Sequence, residues 1–344
     1  MKKNLRNVLA LALGLITTVS FAQDWNVDSR TRIDMSGDHS MNTADQRVTL
    51  GATWGGSDWG IHVSSDLNYT VGTDGGAADN MGLYEAYAST DLFGMANMTI
   101  GRQALSYGSG ALMSGNDWGT NRTTWDGMTF DLGLSDLANI TVGYHSSNQG
   151  GENEDDAGNM HTNISGSFSG WNVNVLYMTN TDTANAGAAT GIDLSGELMG
   201  ATVSASINTD FAGNEMTSYG LSYAVNDDMS VSVNSTTYGD DAGFRMAGTN
   251  MDGSWNATGG MGYLGANDED LSYGLSYNMG GISLSATMHN ITNATDETYE
   301  RSVTEVGIGY SLGDNAGLGI SYATDATEGG ADNKYTWVTL SVTP

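Results

Sequence analysis

The sequence predicts an all-β chain folded as a transmembrane up-and-down antiparallel β-barrel of about eighteen strands, with short periplasmic turns and long extracellular loops. Three observations lead there. Apolar and polar residues alternate with a period of two along most of the chain, and short connections alternate with long ones. The 48 glycines accompany a single proline, at the last position. Sheets exclude proline from their strands, whereas a disordered low-complexity chain usually carries it.

The chain opens MKKNLRNVLALALGLITTVSFA. Lys2, Lys3 and Arg6 precede an apolar stretch from Val8 to Val19, and Ser20-Phe21-Ala22 forms a small-x-Ala cleavage pattern. Residues 1–22 are therefore expected to be a signal peptide, because the apolar stretch is too short to span a bilayer. Residues 23–344 then form one barrel domain.

The first predicted strand, near residues 24–35, sets the pattern. In VDSRTRIDM, Val27, Thr31, Ile33 and Met35 oppose Asp28, Arg30, Arg32 and Asp34. The same reading places strands near residues 44–54, 58–71, 81–91, 95–107, 123–134, 137–147, 159–168, 170–180, 189–197, 200–210, 214–225, 228–239, 270–278, 281–291, 300–312, 316–324 and 333–343. In GISLSATMHN, for example, Ile282, Leu284, Ala286 and Met288 share one face and Ser283, Ser285, Thr287 and His289 the other. Sixteen strands is the alternative count. Residues 240–269 read either as one loop or as a loop with a hidden hairpin.

Short turns such as Gly55-Gly56-Ser57, Leu92-Phe93-Gly94, Asn226-Asp227 and Gly313-Asp314 take turns with polar connections at residues 36–43, 72–80, 108–122, 148–158 and 240–269. A membrane-spanning barrel has a reason for this, because one rim carries tight turns and the other carries loops. Strands of about ten residues match the length needed to cross a bilayer at a tilt. The 16 tyrosines and 8 tryptophans against 6 phenylalanines suit rings with one wet end.

Charge narrows the partners. Removing Lys2, Lys3 and Arg6 with the leader takes the formal net charge from −29 to −32, so nucleic acid is excluded as a partner. The expected partners are outer-membrane lipid, lipopolysaccharide and small hydrophilic solutes. The oligomeric state, monomer or trimer, stays open. The acidic runs Glu152–Asp156 and Asn267–Asp270 are placed in outer loops, as solvated charge or as divalent-cation bridges to lipopolysaccharide.

The stretch from Leu83 to Phe130 carries Glu85-Ala86-Tyr87, Gly101-Arg102-Gln103, Asp117-Trp118 and Arg122 through Asp126-Gly127. In this order the segment resembles the alginate-export family of outer-membrane porins. The resemblance implies an eighteen-stranded barrel and a channel for an anionic sugar polymer gripped by lumen arginines.

Two groups of charged residues stand out as site candidates. Arg30, Arg32, Arg47, Asp28, Asp34, Asp45 and Asp66 lie in phase with the water-facing sides of the first strands. They either set a transverse field in the pore or stitch neighbouring strands together. Arg102 and Asp126 instead fall in phase with apolar neighbours, which calls for a bulge near Gly101 or Gly127 or for polar contacts on both faces. Arg102, Asp117, Arg122 and Asp126, with Glu85, are expected to pin the loop at 108–122 against the wall. Direct contact with solute is the other reading of the same set.

The five histidines show no metal or catalytic spacing, and no Gly-x-Ser-x-Gly elbow exists, so neither enzyme activity nor a metal or other cofactor is expected. The glycines of IGRQALSYGSGALMSGNDWGTNRTTWDG precede no helical pattern, which removes a phosphate cradle. The expected function is a passive outer-membrane channel with its constriction at this loop. The alternatives are a channel specific for anionic oligosaccharides and a non-conducting structural barrel. Net charge suggests weak cation preference, which local arginines could invert.

Overall fold

The structure, a computed structural model, describes residues 22–37, 43–71, 80–115, 117, 122–135, 138–146, 158–180, 187–240, 243–244, 264–330 and 332–343. Residues 1–21 of the expected leader, the Glu152–Asp156 run, Trp118 and most of 240–269 lie outside these.

Among the described residues the chain forms eighteen strands: β1 (Ala22–Asp34), β2 (Thr43–Gly55), β3 (Trp59–Val71), β4 (Asn80–Leu92), β5 (Ala96–Gln103), β6 (Trp125–Ser135), β7 (Ala138–Ser146), β8 (Gly158–Phe168), β9 (Trp171–Asn180), β10 (Gly187–Leu198), β11 (Ala201–Thr209), β12 (Glu215–Ala224), β13 (Met229–Tyr238), β14 (Asp268–Met279), β15 (Ile282–Asn293), β16 (Glu300–Ser311), β17 (Ala316–Thr327) and β18 (Asn333–Val342). Each pairs antiparallel with its sequence neighbours, and β1 pairs with β18 as well as β2, so the sheet closes on itself. Closure leaves no unpaired edge, the condition for a sheet to cross lipid.

The wall is inverted relative to a water-soluble protein. Along β3, Ile61 and Val63 are 44% and 41% exposed, while Ser64 and Asp66 between and beyond them are 2% and 5% exposed. Apolar side chains such as Leu50, Tyr177, Leu221 and Ile308 cover the outside, and Arg32, Arg47, Asn163, Asn208 and Asp325 are buried within. Two apolar clusters nonetheless sit inside. One joins Leu112 and Met113 to Trp125, Leu176, Met178, Ala189 and Phe244; the other joins Leu264 to Ile291, Val303, Ala323 and Trp337. Phe244 and Leu264 both come from the connection between β13 and β14, which therefore sends two anchors into the barrel.

Three expectations need correction. The fifth strand ends at Gln103 rather than near 107, because Ala104 turns out of the sheet and hydrogen-bonds Glu85. The Asn267–Asp270 run is not an outer acidic loop, since β14 begins at Asp268. Asp268 and Asp270 point inward and are buried, with Asp268 accepting from Gly265 N and Asn293 Nδ2, and Asp270 meeting His289 Nδ1 at 2.8 Å. A strand start occupied by acids at alternate positions looks, in sequence, like a charged loop. The third correction concerns Arg102 and Asp126, described next.

Candidate pore constriction

Residues 104–124, which join β5 to β6, fold into the barrel instead of standing above it. The segment leaves the wall at Glu85, whose Oε1 accepts from Ala104 N at 3.0 Å. Glu85 Oε2 lies 3.6 Å from His62 Nε2, and His62 Nδ1 is 2.8 Å from Thr53 Oγ1. Tyr107 Oη then reaches His161 Nε2 at 3.2 Å. Burial pushes the Tyr107 phenol up, with the Asp131 charge adding to the shift, so it keeps its proton.

Gly108 and Ser109 touch the wall at β10 and β11. Ser109 N donates to Asp193 Oδ2 at 3.1 Å, and Ser109 Oγ lies 3.0 Å from Ser206 Oγ. Gly108 has φ of +57°, and a Cβ there would strike Asp193 and Asn174, so only glycine lets the loop come this close. Leu112 and Met113 then enter the first apolar cluster.

The far end of the segment reaches β1, β2 and β3, halfway round the circuit from β10 and β11. Arg30 Nη1 and Arg47 Nη1 both donate to the carbonyl oxygen of Asp117, at 2.8 and 2.9 Å. Arg122 donates through Nε to Asp66 Oδ2 at 3.0 Å and through Nη2 to Asp66 Oδ1 and Thr49 Oγ1. Its guanidinium also lies over the Tyr84 ring, 3.2 Å from the centroid. Burial opposes the Arg122 charge, yet the Asp66 hydrogen bonds outweigh it and hold the group above the usual arginine range.

A bulge explains how β4 serves both ends. The register between β3 and β4 shifts at Ser64/Ser65, so Glu85 pairs with Ser64, Leu83 with Ser65, and Tyr84 has no partner. Consecutive residues thereby face inward, with Glu85 holding the start of the segment and Tyr84 its end.

The structure thus brings together Glu85, Asp117, Arg122, Arg30, Arg47 and Asp66. Asp28 lines the same cavity of about 450 Å³ as Arg30, Arg47, Asp117 and Arg122. Arg32 sits beside them, 5.6 Å from the Trp337 ring centroid and opposite Asp45, which accepts from Thr70 Oγ1 at 3.1 Å. Asp34 is further out and accepts from Ser36 N.

Arg102 and Asp126 do not join this group. They pair directly across β5 and β6 and form a two-pronged ion pair, Nε–Oδ1 at 2.7 Å and Nη2–Oδ2 at 2.6 Å. Their neighbours in register, Gln103 and Trp125, are buried inside, so Arg102 and Asp126 point to the outer face. The apolar phase of Met98, Ile100, Met128 and Phe130 was therefore the guide to their direction, and no bulge re-aims them. Gly101 has a φ of +131° without reversing that phase.

Sequence reasoning missed Tyr84, Thr49, Tyr107, His161, Asp193 and Ser206. Thr49 and Asp193 lie in phase with polar neighbours and offered a signal. Tyr84 offered none, since a bulge leaves no mark in a period-two pattern.

A closed barrel with an apolar outer wall, a polar interior and a segment strapped across that interior is the architecture of a membrane channel protein. More particularly, its fold is that of bacterial outer-membrane porins of the Occ/Opd type. The chain is similar to OpdK of Pseudomonas aeruginosa solved with vanillate, with a TM-score of 0.72 and 13% identity over 93% of this chain and 98% of that one. It is similar to OccK5 (OpdH) of the same organism, with a TM-score of 0.69 and 12% identity over 93% and 97%. OccAB4 of Acinetobacter baumannii gives a TM-score of 0.68 and 12% identity over 94% and 98%. No protein-family model and no curated protein matches the sequence.

Proposed function

We propose that this chain is an outer-membrane porin through which small hydrophilic solutes diffuse passively, narrowed by the segment at 104–124. The signal peptide would be cut after Ala22, the long-loop rim would face outward, and the apolar wall would meet lipid and lipopolysaccharide. A barrel of sixteen to eighteen strands ordinarily leaves a water channel, which favours passage over a filled structural barrel.

The convergence of Arg30, Arg47 and Arg122 where the segment meets the wall carries the reading further. Three guanidiniums around one small cavity favour anions, and they outweigh the overall negative charge because only nearby, poorly screened charges act on a solute in a constriction. Small carboxylates are the solute class that this chemistry fits. OpdK, of like fold, was solved with vanillate, itself a carboxylate. The resemblance of Leu83–Phe130 to alginate-export porins makes uronate oligosaccharides the second candidate.

Planar-bilayer recording tests both levels. Stepwise conductance of the purified protein is expected, and its absence would remove the porin reading. Under a salt gradient the reversal potential should have the sign of anion preference. Vanillate-type acids or uronate oligosaccharides that block the current would then separate the two solute classes.

A further inference from the structure

Behind the start of the constricting segment, β7 and β8 carry buried polar side chains that the constriction leaves unused. His145 and His161 are 1% and 2% exposed, and their ring centroids lie 5.4 Å apart. The register sets Asn159 directly opposite His145, and His161 and Asn163 follow on the same face of β8. Gly143 gives His161 its place, because a Cβ there would fall on the imidazole ring. Both ring nitrogens of His145, Nδ1 of His161 and the side-chain oxygens of Asn159 and Asn163 are buried with no hydrogen-bond partner. Buried polar atoms are ordinarily partnered, so five such atoms in one place point to a ligand.

The hydrogen-bond directions say what these atoms offer. Thr141 Oγ1 gives its one proton to Asp131 Oδ1, 2.5 Å away. Toward Tyr107, to which it is also hydrogen-bonded, Thr141 can then only accept. Tyr107 Oη in turn spends its proton on Thr141 and accepts from His161 Nε2. With the proton on Nε2, neutral His161 presents a bare lone pair at Nδ1. Neutral His145 presents one more, and the amide oxygens of Asn159 and Asn163 present lone pairs alone. Electron pairs without matching donors suit a cation.

We propose that His145, His161 and the side-chain oxygens of Asn159 and Asn163 form a binding site for a divalent metal ion of the Zn²⁺ type. Imidazole donors suit zinc, copper and nickel, while the hard ions calcium and magnesium want carboxylates. Two bonds of about 2.1 Å in a bent arrangement place imidazole centroids on the order of 5 to 6 Å apart, and the observed spacing falls there. The Asp131–Thr141–Tyr107–His161 relay is the kind of outer arrangement that fixes the tautomer of a metal-binding histidine. Among the described residues no three His, Asp or Glu side chains gather for a metal, so the site depends on the two amides completing it. Tyr107 belongs to the constricting segment, and an ion here would brace that segment against the β7–β8 wall.

The test uses untagged full-length protein in detergent, stripped with chelator and titrated with Zn²⁺ by calorimetry and with Co²⁺ by visible absorption. Wild type and a His289→Gln control should bind one ion per chain, and far-UV circular dichroism should match for every variant. His145→Gln and His161→Gln should each weaken binding at least tenfold. Tyr107→Phe, which keeps all four ligands but loses the relay, should weaken it by about 10- to 100-fold. No saturable binding by wild type, or equal binding by wild type and both histidine variants, would overturn the proposal.

Discussion

Arg30 and Arg47 face each other directly across β1 and β2, and both donate to one acceptor, the carbonyl oxygen of Asp117. Like charges in directly opposed positions destabilise a sheet pair, so a single neutral carbonyl leaves positive charge over for a passing solute. Replacing either arginine by alanine should move the reversal potential toward cations and lower block by small carboxylates, with the double variant shifting furthest. Bilayer recordings under a salt gradient give both quantities, and an unmoved reversal potential would contradict the anion reading.

Arg122 holds the segment more firmly than these two do. Its pair with Asp66 is buried on both sides, 8% and 7% exposed at the side chains, and Tyr84 closes it from above. Arg122→Ala strands the Asp66 carboxylate, a loss of about 3 kcal/mol for a buried pair. Thermal unfolding in detergent should register it, and single-channel conductance should rise and become noisier as the segment comes away from β3. Arg122→Lys should recover only part of the effect, because an ammonium cannot form the fork to Asp66.

Alkaline pH should loosen the other half of the segment. The Tyr107 phenol is raised above its ordinary value of 10.0, first by burial and then by Asp131. A raised folded-state value means that the unfolded chain gives up its proton first, so the stabilisation is complete below pH 10 and lost as pH rises beyond it. Phenolate absorbance should show one tyrosine titrating late. Tyr107→Phe should remove that tyrosine and flatten the stability loss above pH 10.

The fold was legible because lipid and water impose the same alternation on every strand, and the strand count followed from it. The candidate site was legible only in part. Arg30, Arg47, Asp66, Asp117 and Arg122 showed themselves as charges in phase with polar faces or in a loop. Arg102 and Asp126 were grouped with them by nearness in sequence, although their apolar phase placed them outside. What one strand cannot tell is which residues across the lumen it meets. The Asp193 and Ser206 contacts join the segment to strands halfway round the barrel, and the Tyr84 bulge depends on register with β3.

The outward position of Arg102 and Asp126 makes them a sharp control. Their side chains are 36% and 54% exposed, and a pair of that kind contributes up to about 1 kcal/mol. Arg102→Ala and Asp126→Asn should leave conductance and reversal potential at wild-type values, whereas a changed reversal potential would place the pair in the solute path after all.

Gly108 tests whether the strap across the lumen needs both of its ends. Its φ of +57° disfavours any side chain, and a Cβ would strike the Asp193 carboxylate that holds Ser109. Gly108→Ala should therefore push the segment off β10 while leaving Arg122 on Asp66 and the eighteen-strand circuit in place. The expected result is higher single-channel conductance with anion preference retained, since Arg30 and Arg47 stay where they are. Loss of the preference together with the rise in conductance would mean that the β10 and β11 contacts, not the Asp117 carbonyl, hold the arginines in the solute path.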